Sequence, residues 1–122
     1  MIISTSSHNI LLFNEFDDFV VDTMTRTLER LADDVLSVDV FLKDINGPKG
    51  GVDKQVIVRA HLRNRHQLAI ETVDENLYAA IKAGAKRMKR AVRRSLEKSR
   101  RIEKLSVARR QGAHELASGP GP

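Results

Sequence analysis

The residues of strongest chemical character lie between Lys82 and Arg101, where ten Lys or Arg stand against a single acid, Glu97. Leu77, Ile81, Met88, Val92 and Leu96 recur at helical spacing, with Gly84 and Ala85 between them. Wound at about 100° per residue, the apolar residues form one stripe and the cations fall on the side away from it. A body can hold such a helix by its greasy face and leave the other face to anions. Cations at i and i+4 repel one another, and the acids that would pair with them are missing. A surface of this kind points to a polyanionic ligand, most often nucleic acid. The net charge of +5 conceals the asymmetry: residues 82–101 carry +9 and the remainder −4. An acidic membrane is a poorer fit, because the apolar stripe is needed for the core.

Other chemistries lack their residue patterns. There is no cysteine, hence no disulfide frame, thiol nucleophile or Cys-based metal site. His8, His61, His66 and His114 make no metal-ligand spacing and read as surface residues. The acidic pairs Asp17-Asp18, Asp33-Asp34 and Asp74-Glu75 are explained by helix termini, not by general acid–base work. No serine sits in a G-x-S-x-G context. Asn46-Gly47-Pro48-Lys49-Gly50-Gly51 lies between two strands, and its lysine precedes the glycines. It reads as a flexible loop, with Lys49 at most a peripheral contact to an RNA backbone, and not as a Walker loop. The expectation is a non-enzymatic protein with no cofactor, no metal and no small-molecule substrate. No apolar run approaches the ~18 residues of a membrane span, and no basic leader opens the chain, which suggests a cytoplasmic protein.

The positioning elements follow from periodicity. Met1 to Thr5 reads as a short strand and Ser6 to Asn9 as a turn. Asn14 suits an N-cap, and Phe16, Phe19, Val20, Met24, Leu28 and Leu31 mark an amphipathic helix over 14–32. Residues 35–44 and 53–63 alternate, with Val38, Val40, Leu42, Val56, Val58, Ala60 and Leu62 facing inward. Asn64-Arg65 reads as a hairpin turn before a fourth strand, 67–73, and Asp74 as the N-cap of the basic helix. The order β-α-β-β-β-α predicts an α+β fold. A four-stranded mixed sheet, its first two strands parallel through a right-handed crossover, would carry both helices on one face. Residues 1–101 form the domain. Residues 102–122 read as a helix extension to about Arg110 and a disordered tail.

Aromatic residues are few, and the stacking signature of an RNA-recognition motif is absent, so backbone electrostatics should dominate. The α-β-β-β-α portion also matches a double-stranded-RNA-binding domain in outline, and a generic module of that kind is the alternative reading. Those domains place lysines at the start of the last helix. Here that start is Asp74-Glu75-Asn76.

Asp74-Glu75-Asn76-Leu77-Tyr78-Ala79-Ala80-Ile81, followed by a basic helix and preceded by three alternating strands, resembles the ribosome hibernation-promoting factor and ribosome-associated inhibitor A family. The family is also called sigma-54 modulation protein, and the likeness covers roughly residues 1 to 100. Asn46 to Lys54 resembles a loop of one proteobacterial branch. The resemblance implies the same β-α-β-β-β-α fold and a bacterial stress-response protein that binds the small ribosomal subunit. It would sit on 16S rRNA in the decoding channel and block mRNA and tRNA. Carried onto this sequence, the family's basic positions fall on Arg87, Arg90, Arg94 and Lys98, with Lys86, Lys89 and Arg93 beside them and Arg26 on the first helix. Lys82 stands where the family usually has Asp, Gly84-Ala85 replace bulkier residues, and the first helix is acidic. Tyr78 reads as a core anchor, not a base-stacking group. The tail is too short for the dimerising domain of long members, which implies a monomer when free.

Overall fold

The structure is a computed structural model and describes residues 1–10, 13–45 and 53–118. It divides into two units, Met1–Val92 and Arg93–Pro122. In the first, strand β1 (Ile2–His8) leads to helix α1 (Phe13–Thr27) and a short 3-10 helix (Glu29–Asp34). Strands β2 (Val35–Asp44), β3 (Lys54–Leu62) and β4 (Gln67–Asp74) precede helix α2 (Leu77–Ser118), which continues into the second unit. The sheet order is β1-β2-β3-β4. β1 pairs parallel with β2, and the other pairs are antiparallel. This is the mixed α+β sheet that the alternation predicts.

Register explains why one face is greasy. The row Ile3, Val38, Ala60, Leu68 and the row Thr5, Val40, Val58, Ile70 face one side. Val38, Val40, Leu42, Val56, Val58, Ala60 and Leu62 are all buried there. Helix α1 adds Val20 and Met24, Leu28 follows just beyond its end, and α2 adds Leu77, Ala80, Ile81, Ala85, Met88 and Val92. Both helices thus pack on this face, since an apolar sheet face and two apolar helix stripes can only be removed from water together. The other face keeps Asp39, Arg59, His61 and Glu71 at least partly in water.

Several boundaries differ from the sequence reading, each for a local reason. The first strand runs through Ser6-Ser7-His8, because pairing with Phe41, Leu42 and Lys43 outweighs the low strand propensity of serine. The first helix stops at Thr27, and Glu29–Asp34 tightens to 3-10 geometry while Leu28 stays buried. Helical periodicity continues through Leu28 and Leu31, so the tightening leaves no mark in the pattern. Asp74 closes β4, and the cap of α2 is Asn76, whose Oδ1 accepts the Ala79 N–H at 3.2 Å. Asp74 instead accepts the Asn76 N–H at 2.9 Å, a local turn that competes with capping. Helix α2 runs on to Ser118, past the break expected at Gln111. Ala113, Glu115, Leu116 and Ala117 are good helix formers, and Gly112 alone does not end it.

Gly84 sets how closely α2 approaches the sheet. A Cβ there would lie 3.1 Å from Val58 Cγ2 and 3.4 Å from Thr72 Oγ1. Both neighbours are β-branched and stiff. One turn earlier the Thr72 hydroxyl donates to the Ala80 carbonyl at 2.8 Å, a buried bond joining β4 to α2. At the end of β2, Lys54 Nζ donates to Asp44 at 3.0 Å and to the fully buried Asp53 at 3.1 Å. Residues 46–52, with Lys49, lie outside the described residues.

Two outcomes follow. Gly84→Val should lower stability by about 2 kcal/mol, read by urea denaturation, because it forces methyl groups into stiff neighbours. Lys54 titrates above the ordinary lysine value of 10.5, chiefly through its hydrogen bond to Asp44. A raised lysine contributes its stability in full below the unfolded value and loses it as pH climbs through the folded one. Lys54→Met should therefore lower the melting temperature at neutral pH and flatten the decline above pH 10.5. An equally steep alkaline decline in the variant would contradict this assignment.

Candidate nucleic-acid interface

The interface is built on the part of α2 that belongs to the first unit. With Leu77, Ile81, Ala85, Met88 and Val92 turned into the core, geometry turns the cations outward. Lys82, Lys86, Arg87 and Arg90 are exposed and Lys89 is half-buried. Taking Tyr78 as the origin of a helical wheel at about 100° per residue, Lys82, Lys86 and Lys89 lie on one flank and Arg87 on the other, with Arg90 between. Among the described residues, Lys86, Lys89 and Arg90 pair with no acid. Three or four ammonium and guanidinium groups on two turns of rigid helix can neutralise successive phosphates, and nothing there discriminates bases.

The remaining predicted residues separate. Arg93, Arg94 and Lys98 are exposed on the helical stretch of the second unit, which also carries exposed Arg100, Arg101, Ile102 and Leu105. Arg26 is engaged within its own helix, with Nε 3.1 Å from Asp22. Both groups are solvated, so the pair contributes little stability, but it offsets the charge that Arg26 would bring to an anion. Arg87 is also committed. Its guanidinium donates to the Glu71 carbonyl at 2.6 Å, on the edge strand β4. It thereby covers a backbone acceptor that would otherwise be open at the sheet edge. Its remaining N–H groups stay available, since a guanidinium carries five donors.

Near the start of α2 the structure groups side chains that the sequence reading left apart. Tyr78 is 39% exposed and does not behave as a core anchor. Its ring lies 4.9 Å from Phe16 and 4.8 Å from Phe19, the latter edge-on at 84°. Lys82 Nζ stands 5.9 Å from the Phe19 ring centroid, within cation–π range. Phe16 and Phe19 are three apart on α1, and Tyr78 and Lys82 are four apart on α2, so spacing could have suggested two faces but not their meeting. Among the described residues no group of three or more His, Asp or Glu gathers in metal-binding geometry. Among them also, no helix is long and apolar enough to cross a membrane.

A family model described as sigma 54 modulation protein / S30EA ribosomal protein matches residues 3–100. The crystal structure of the N-terminal domain of Thermus thermophilus Protein Y superposes with a TM-score of 0.63 at 24% identity, covering 77% of this chain and 98% of that one. A ribosomal subunit interface protein from Coxiella burnetii superposes with a TM-score of 0.66 at 8% identity, covering 80% and 99%. At these identities the two structures speak to the fold. No curated protein matches the chain.

The two arginines at the centre of the face should behave differently. Arg87→Ala should cost about 1 kcal/mol of folding stability, from the lost hydrogen bond to Glu71, whereas Arg90→Ala should stay within about 0.5. Paired urea melts measure both, and equal stabilities would mean that the Arg87 bond contributes nothing.

Proposed function

This chain belongs to the sigma 54 modulation protein / S30EA ribosomal protein family, and we propose that it is a ribosome-associated hibernation factor that blocks translation by occupancy. Its target is the small subunit, where it lies on 16S rRNA in the decoding channel and keeps out mRNA and tRNA. Lys86, Arg87, Lys89 and Arg90 of the first unit grip phosphates, and Arg93, Arg94 and Lys98 of the second unit add their own contacts. Arg26 contributes less, because Asp22 already offsets its charge. No reaction is catalysed; the work is done by binding. The ribosomal target carries the protein to the cytoplasm, where it acts as a monomer. The observation that carries the reading is the row of exposed cations on α2 without acidic partners among the described residues, in a chain of this family.

The test is sedimentation of the full chain with bacterial ribosomal subunits, with and without mRNA and P-site tRNA. Binding to the small subunit that mRNA and tRNA abolish is expected. Binding indifferent to tRNA would contradict channel occupancy. Affinity for naked duplex RNA equal to that for subunits would replace the proposal with a generic double-stranded-RNA-binding module.

A further inference from the structure

We propose that Tyr78 is a stacking platform for an unpaired nucleobase of the RNA held along α2, an inference that rests on reading α2 as an RNA-binding helix. The chain is poor in aromatic residues, with four Phe, one Tyr and no Trp. Three of these five rings meet in one cluster, Phe16, Phe19 and Tyr78. The cluster is not a core. Phe16 and Phe19 are only partly buried, and Tyr78 keeps 39% of its surface in water while its neighbour Leu77 keeps 5% and Ile81 none. A tyrosine recruited only for packing would gain by burying that surface, at roughly 25 cal/mol per Å². Here two phenylalanines brace the ring from the α1 side and leave the rest of it in water.

The surroundings identify the occupant by its chemistry. Lys82, one turn beyond Tyr78, is held toward the cluster by its cation–π contact with Phe19. Lys86 and Lys89 continue the same flank toward the middle of the helix. A braced aromatic surface beside a line of ammonium groups is the combination that binds single-stranded nucleic acid: the ring takes a base, and the cations take the phosphates next to it. A duplex hides its base faces in the stack and offers only phosphates. Tyr78 therefore gives this face a preference for unpaired RNA that the cations alone do not supply.

The sole tyrosine in a chain without tryptophan makes the test direct, because emission excited to the red of phenylalanine absorption comes from Tyr78 alone. The full chain is titrated with a single-stranded RNA oligonucleotide, with a duplex of the same base content, and with inorganic polyphosphate. Binding is followed independently by anisotropy of labelled ligand. Single-stranded RNA should quench the emission. Duplex and polyphosphate should bind and leave it unchanged, which also controls for absorption by the bases. Tyr78→Leu should weaken single-stranded binding by about tenfold and polyphosphate binding not at all, while Tyr78→Phe keeps the wild-type affinity within about twofold. RNA that binds with unchanged emission would overturn the inference and leave the electrostatic reading standing. RNA that does not bind by anisotropy would overturn the RNA-binding reading itself, and the stacking role with it.

Discussion

Everything else in the first unit depends on the seam where α2 meets β3 and β4. Gly84 removes the side chain that would hold the helix away from Val58 and Thr72. The Thr72 hydroxyl then reaches the Ala80 carbonyl, and Leu77, Ile81, Met88 and Val92 close over the sheet. Burying four such side chains is worth on the order of 6–12 kcal/mol before entropy is counted. That seam fixes the rotation of α2 about its axis. Once rotation is fixed, the direction in which the cations point is no longer free.

The charged face opposes this seam only weakly. Within the first unit the like-charged neighbours three and four apart are Lys82–Lys86, Lys86–Lys89, Lys86–Arg90 and Arg87–Arg90. At a few tenths of a kcal/mol each, they cost about 1–2 kcal/mol together. Burial wins, and the helix forms with its cations unneutralised. Two of them are partly accommodated, Arg87 by the Glu71 carbonyl and Lys82 by the Phe19 ring. Both accommodations lie at the flanks. Lys86 and Arg90, which lie between Lys82 and Arg87 around the helix, face water, and an external polyanion lowers their energy most. The acidic outer side of α1, with its Asp22–Arg26 pair, gives a polyanion nothing comparable.

How far the sequence anticipates this is decided element by element. Val38, Val40 and Leu42 alternate with polar residues, and the same holds for Val56, Val58 and Ala60, so the strands and their inner face were legible; period two has no competing interpretation there. The α2 stripe was legible from its spacings of four and seven, the 3.6-residue period of a helix. Local competition was not. Asp74 and Asn76 are both good caps, and only the hydrogen bonds show that Asn76 caps while Asp74 closes the turn before it. Side-chain commitments across elements were invisible too. Nothing in the string of letters ties Arg87 to the carbonyl of Glu71 or brings Phe16 and Phe19 to Tyr78, because both depend on the crossing of α2 over β4 and α1. The cationic residues of the candidate site were readable as types, but which of them stay unpaired was not.

The central claim is that affinity comes from phosphate neutralisation by a helix face of fixed orientation. The most direct measurement is the affinity of the full chain for small ribosomal subunits as a function of salt. Engagement of about five cations predicts that log K falls with log salt at a slope near −4, and that Arg90→Ala reduces the slope by about 1. A salt-insensitive complex, or a slope unchanged when Arg90 is removed, would contradict the account.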